Sequence, residues 1–135
     1  MAKTKTKKDQ RFDSIEHENL YNWLKELGCN VEVNPKLGEG IYSTTISGDF
    51  IVFDIFPKGL VVELKQQDNT GTTDEKIPYL ILNIKHNYLL PTVLILQGTG
   101  WRDGCFEWAK SQVGGDLLHV FPDINSFKGW MSGYK

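Results

Sequence analysis

The chain has 135 residues, 40% of them hydrophobic, a net charge of −2 and no apolar run near the roughly 20 residues that a membrane helix needs. That balance excludes a disordered chain, a disulfide scaffold and a membrane-spanning protein, and the N-terminal lysines are not followed by the apolar stretch of a secretory signal. Cys29 and Cys105 lack Cys-x-x-Cys spacing and no histidines cluster, so both read as ordinary thiols in a cytoplasmic protein, with neither a zinc nor a redox motif.

Residues 1–12 are expected to be a flexible basic tail, in which Lys3, Lys5, Lys7, Lys8 and Arg11 face a single Asp9. Such a tail can lie on a polyanion and gain affinity by counterion release, or simply remain solvated. Residues 13–135 then form one domain. Asp13 and Glu16 read as a capping box, and Leu20, Trp23, Leu24 and Leu27 recur at helical spacing until Gly28, which predicts a helix over about 14–27. Ile41 to Ser47 alternates and is rich in β-branched residues; Phe50 to Phe56 and Leu60 to Gln66 are two further strands, joined by turn chemistry at Pro57-Lys58-Gly59. A second capping-box pattern at Thr72 to Glu75 opens a long helix, along which Ile77, Leu80, Ile81, Ile84 and Tyr88 trace one face.

Thr92 to Leu96 is continuously apolar between Pro91 and Gly98, the pattern of a parallel strand covered on both faces at the sheet centre. A helix near 104–113, a short strand from Leu117 to Phe121 and a closing helix after Pro122 complete the order. Helix, three strands in meander, then alternating helices and strands give an α/β fold: a three-layer α/β/α sandwich with a mixed central sheet.

Candidate chemistry concentrates between Asp54 and Gln67. Strand alternation puts Glu63, Lys65 and Gln67 on one face, opposite Leu60, Val62 and Leu64. If the turn leaves residues 56 and 59 facing each other, Asp54 pairs opposite Val61 and joins that polar face; a register shifted by one would put it behind the sheet. Asp54, Glu63 and the backbone carbonyl of Leu64 are then hard oxygen ligands for Mg²⁺. Lys65 can orient or deprotonate a water, or offset charge on a phosphate, and Gln67 can hold a phosphate or that water. An acid two residues before a lysine is a weak pattern, and Asp74-Glu-Lys76 repeats it. Asp74, however, falls at a helix start, where capping and the helix dipole explain it.

Asp54, Glu63-x-Lys65 and Gln67, followed by an amphipathic helix and a buried strand, resemble the PD-(D/E)xK nuclease superfamily, whose fold is restriction-endonuclease-like. The run from Glu63 to Tyr79, with its Gly71-Thr72, Glu75-Lys76 and Pro78-Tyr79, is similar to that of small bacterial and phage nucleases; Phe53 stands where the family name has a proline. The resemblance implies a Mg²⁺-dependent deoxyribonuclease, with Mn²⁺ substituting, acting as an endonuclease of restriction, homing, junction-resolving or phage DNA-processing type and leaving 5′-phosphate ends. Catalytic roles fall on Asp54, Glu63, Lys65 and Gln67.

It also implies that a first-helix glutamate can join the metal site. Glu16 is the candidate, ahead of Glu18 and His17. Lys76, Tyr79, Arg102, Lys7 and Lys8 are candidate DNA contacts. Two-strand cleavage would call for a symmetric homo-oligomer. A noncatalytic DNA-binding or assembly subunit of the same fold is the alternative, and an unrelated α/β protein with a coincidental Asp and Glu-x-Lys is a third reading.

Overall fold

The computed structural model describes residues 11–134. Helix α1 spans Ile15–Glu26, and Ser14 is its N-cap, its Oγ accepting the His17 N–H; Asp13, the residue expected to cap, lies one position outside. Gly28, at φ 96°, turns the chain out of the helix as expected. The strands are β1 (Val31–Val33), β2 (Lys36–Glu39), β3 (Thr45–Ser47), β4 (Phe50–Val52), β5 (Leu60–Gln66), β6 (Thr92–Gln97) and β7 (Leu117–Phe121). Helices α2 (Ile77–Asn83), α3 (Cys105–Ser111) and α4 (Ile124–Ser132) complete the fold.

Five strands form one mixed sheet in the order β1-β4-β5-β6-β7, antiparallel between β1, β4 and β5 and parallel from β5 through β7. α1 and α4 cover one face: Leu20, Leu24, Phe127 and Met131 pack on Phe50, Val52, Leu60, Val62, Leu64, Val93 and Ile95. α2 and α3 cover the other, where Ile77, Ile81, Ile84 and Ala109 meet Ile51, Val61, Leu94, Leu96 and Leu117. This is the expected three-layer α/β/α arrangement, with β6 flanked by parallel neighbours. Among the described residues no helix is long and apolar enough to cross a membrane.

Three details depart from the sequence expectation. The segment read as a first meander strand, 41–47, contributes only β3, which pairs with β2 in a separate hairpin; β1 takes the sheet position beside β4. The long second helix divides into a 3₁₀ turn at Thr73–Lys76, α2, and a π-helical segment at Ile84–Tyr88 that ends at Leu89 in the left-handed region, φ 60°. Pro78 lies in the first turn of α2, where its missing N–H costs nothing. Phe12, assigned to the tail by its neighbours' charge, is 4% exposed and belongs to the core under α1, while residues 1–10, Lys7 and Lys8 among them, lie outside the described residues.

The register between β4 and β5 matters most. Ile51, not Asp54, stands opposite Val61, and Val52 stands opposite Leu60. Strand β4 stops at Val52 and a wide loop replaces the tight turn that the sequence suggests. The pairing is displaced by three residues, an odd number, and an odd displacement sends every side chain to the other face.

Candidate active site

β5 pairs with β6 along Val61 to Gln66, but with β4 only along Leu60 to Val62. Its second half therefore has one edge without a strand partner, and the backbone groups of Leu64 on that edge need other partners. Asp49, the residue preceding β4, supplies one: its Oδ2 accepts the Leu64 N–H at 2.8 Å. His17 supplies the other, its Nε2 lying 2.9 Å from the Leu64 carbonyl oxygen and 3.3 Å from Asp49 Oδ2. Ser14 Oγ lies 2.7 Å from His17 Nδ1, so the N-cap also orients the imidazole. The stripe that α1 buries is His17, Leu20 and Leu24.

Continuing the β4–β5 register by one residue puts Asp49 opposite Glu63. The Asp49 N–H donates to Glu63 Oε2 at 3.2 Å, and the Tyr88 hydroxyl donates to the same oxygen at 3.0 Å. Glu63 is 2% exposed. Burial, reinforced by the charge of Asp49, pushes its carboxyl up to about 8, against the smaller opposing effects of Lys65 and these two hydrogen bonds. The Lys65 ammonium stands 3.8 Å from Glu63 Oε1. Burial alone would lower its pKa, but the charges of Asp49, Glu63 and Asp13 outweigh that and raise it. For His17, too, burial is overcome by the hydrogen bond and charge of Asp49, and its pKa is raised.

Gly48 makes the close approach feasible. A Cβ at that position would lie 2.9 Å from Glu63 Oε2, 2.9 Å from a Leu37 methyl and 3.2 Å from a Val61 methyl, closer than side chains tolerate. Asp13, His17 and Asp49 each offer a ligand atom, and these atoms lie within 4.8 Å of one another.

The candidates read from the sequence separate accordingly. Glu63, Lys65 and the Leu64 carbonyl come together as expected. Asp54 does not: it is exposed beyond the opposite end of β4, where its Oδ1 accepts the Asn30 N–H and ties the entry of β1 to the exit of β4. The three-residue register displacement is the reason. Glu16 lies one helical step off the buried stripe and lines a cleft with Asn19, Gln97, Asp123 and Lys128; His17 occupies the inward position expected of it.

Gln67 is buried with both ends of its amide engaged, Oε1 accepting the Thr73 N–H and Nε2 donating to the Gly100 carbonyl, so it clasps two loops. Arg102 is ion-paired with Asp74 at 3.4 Å and Glu75 at 3.2 Å. Lys76 and Tyr79 do border the site, lining a cavity that Lys65 also lines. The residues that sequence reasoning missed or ranked low are Asp49, His17, Asp13 and Tyr88. Gly48-Asp49 directly before an apolar strand was the available signal for the first.

Two buried carboxylates on one strand edge, a cation two residues along and a main-chain carbonyl beside them are features of a site built for a hard cation and an anionic substrate. No curated protein sequence matches the chain. Residues 4–124, by contrast, match the family model of the PD-(D/E)XK nuclease superfamily domain, a span that runs from the basic N-terminal segment to the first residue of α4. The mixed sheet with helices on both faces agrees with that match, and the chain belongs to the PD-(D/E)XK nuclease superfamily.

Proposed function

We propose that the protein is a divalent-metal-dependent deoxyribonuclease, an endonuclease using Mg²⁺ or Mn²⁺, in which Asp49 takes the acidic position that the sequence assigned to Asp54. The observation that carries this reading is the convergence of Asp49, Glu63 and Lys65 on the half-open edge of β5. The donor set fits a hard cation. Glu63 is buried beside a second carboxylate and holds a proton to about pH 8 in its absence, a cost that a bound cation would relieve.

Asp49, Glu63 and the Leu64 carbonyl would hold the ion, with His17 and Asp13 at its flank. When bound, it would supply a nucleophilic hydroxide near neutral pH and neutralise charge on the phosphate. The Leu64 carbonyl lies 2.9 Å from His17 Nε2, and its second lone pair would allow it to keep that hydrogen bond while it contacts the ion. The acidic groups of Asp49, Glu63 and Asp13 raise the Lys65 pKa against its burial, which favours an electrostatic role, holding the attacking water and countering charge on the phosphate, over that of a resting base. Tyr88 fixes the Glu63 carboxylate through its hydroxyl.

The test is cleavage of supercoiled, linear and four-way-junction DNA in Mg²⁺ or Mn²⁺, with EDTA, Lys65→Ala and Asp49→Asn as controls. Metal-dependent nicking lost in both variants supports the reading. Binding of DNA with no cutting of any substrate would favour the noncatalytic subunit instead. Sedimentation with and without DNA would test the symmetric homo-oligomer that two-strand cleavage calls for.

A further inference from the structure

Beside the carboxylates lies a cavity of about 370 Å³, within the ~300–1,000 Å³ range of small-ligand sites. Its lining divides by chemistry: Ile46, Tyr79 and Leu80 give an apolar wall, while Lys65 and Lys76 bring two ammonium groups to it. Tyr79 is 37% exposed and stacks on Tyr42, 74% exposed, with ring centroids 5.6 Å apart and planes 18° from parallel. The stacked pair thus presents aromatic surface to solvent where Tyr79 lines the cavity.

The wall is preformed. The tip of the β2–β3 hairpin is pinned to α2 by the Ile41 N–H, which donates to Asn83 Oδ1 at 3.0 Å. Gly40 packs so closely that a Cβ there would meet that oxygen at 2.9 Å and Ile46 at 2.8 Å. The inner end reaches the reaction centre through Lys65 and through Tyr88, whose hydroxyl binds Glu63.

We infer that this cavity receives an unpaired base of the DNA strand being cut, stacked on Tyr79, with Lys65 and Lys76 on the flanking phosphates; the preferred substrate is then a single strand, flap or frayed end instead of continuous duplex. The inference rests on the nuclease reading above. An apolar, aromatic wall with cations at its margin matches the two halves of a nucleotide, a π-face and an anion. A base held in a duplex would first have to leave its stack to enter, whereas an unpaired base enters without that cost. The Tyr42 ring, stacked against Tyr79 and 74% exposed, offers a further π-face to a neighbouring base.

The experiment measures binding of a fluorescein-labelled single-stranded oligonucleotide, and of the same sequence as a duplex, in Ca²⁺ at fixed salt, for wild type, Tyr79→Ala and Tyr79→Phe. The expected result is a single-strand preference of at least about tenfold in wild type, a loss of about tenfold for the single strand alone in Tyr79→Ala, and recovery in Tyr79→Phe. A wild-type preference for duplex, or equal effects of Tyr79→Ala on both DNAs, overturns the inference. So does a Tyr79→Ala protein that binds the single strand like wild type. Mg²⁺-dependent cutting without strand preference would refute the cavity's role and spare the nuclease reading; strand-selective binding with no cutting in Mg²⁺ or Mn²⁺ would do the reverse.

Discussion

Asp49 faces Glu63 across the frayed end of the β4–β5 pair, its backbone N–H on Glu63 Oε2 at 3.2 Å and its carboxylate on the next backbone N–H, that of Leu64, at 2.8 Å. Glu63 is therefore held by the main chain of Asp49, and Asp49 by the main chain of Leu64, the residue after Glu63. Displacing either one moves the other.

That relationship distinguishes Asp49 from Asp54, the aspartate to which the sequence pattern points. Asp49→Asn is expected to lower the metal-dependent cleavage rate by at least about a hundredfold, and Asp54→Asn by less than about threefold, since Asp54 lies beyond the opposite end of β4, where it accepts the Asn30 N–H. Initial rates on one plasmid substrate decide it, and a larger effect at Asp54 would refute the assignment.

The metal-free protein should lose stability as pH rises. Glu63 keeps its proton to about 8 in the folded chain against 4.5 ordinarily, because burial and Asp49 disfavour its charge. Unfolding therefore releases a proton between those values, so this contribution is complete below 4.5, declines through the window and is gone above about 8. His17, where burial is outweighed by the hydrogen bond and charge of Asp49 together with Asp13 and the Leu64 carbonyl, has its pKa raised above 6.5 and adds a loss of the same sign as pH rises past that value. Thermal unfolding in EDTA from about pH 5 to about 8.5 should show a falling midpoint, and Glu63→Gln should flatten most of the slope. A midpoint that climbs across this range contradicts the assignment.

Gly48→Ala tests the close approach. The added methyl meets the Glu63 carboxylate, Leu37 and Val61 together, so something must shift, at about 1–3 kcal/mol of stability by analogy with overpacked cores. Calorimetric titration with Mn²⁺ should show weakened binding in the folded variant. Unchanged Mn²⁺ affinity would mean that Glu63 tolerates displacement.

Gln67→Ala should behave as a structural change. Losing the bonds to Thr73 N–H and Gly100 carbonyl leaves buried backbone groups unpaired, at about 1–3 kcal/mol each at most, while the rate below the melting range stays within about threefold of wild type. A rate loss comparable with that of Lys65→Ala, at unchanged stability, would restore Gln67 to the chemistry.

The layers of the fold were legible because long-range packing follows periodicity: the apolar run at Thr92 to Leu96 became the inner parallel strand β6, and Leu20 and Leu24 became the buried stripe of α1. Glu63 and Lys65 were legible for the same reason, since alternation along β5 fixes their face. Asp49 was not, because its position depends on where β4 ends. Phe53-Asp54-Ile55-Phe56 has the composition of a strand, yet Phe53 donates its N–H to the Asn30 carbonyl and the chain leaves the sheet there. His17 was hidden by the helix phase: Glu16 and His17 are both adjacent to the Leu20 stripe, and only the edge of β5 selects between them.

The half-open edge of β5 has a consequence apart from chemistry. An uncovered strand edge is a template on which another chain can add, and natural sheets guard such edges with charge or with covering side chains. Here the guards are two residues of the candidate site: Asp49 caps the Leu64 N–H and His17 caps its carbonyl. Replacing both by apolar residues would bare a hydrogen-bonding rung beside the apolar run Leu60 to Val62, and the variant should be prone to self-association through strand addition. On the proposed reading, the two side chains that guard this edge are the ones that flank the metal position.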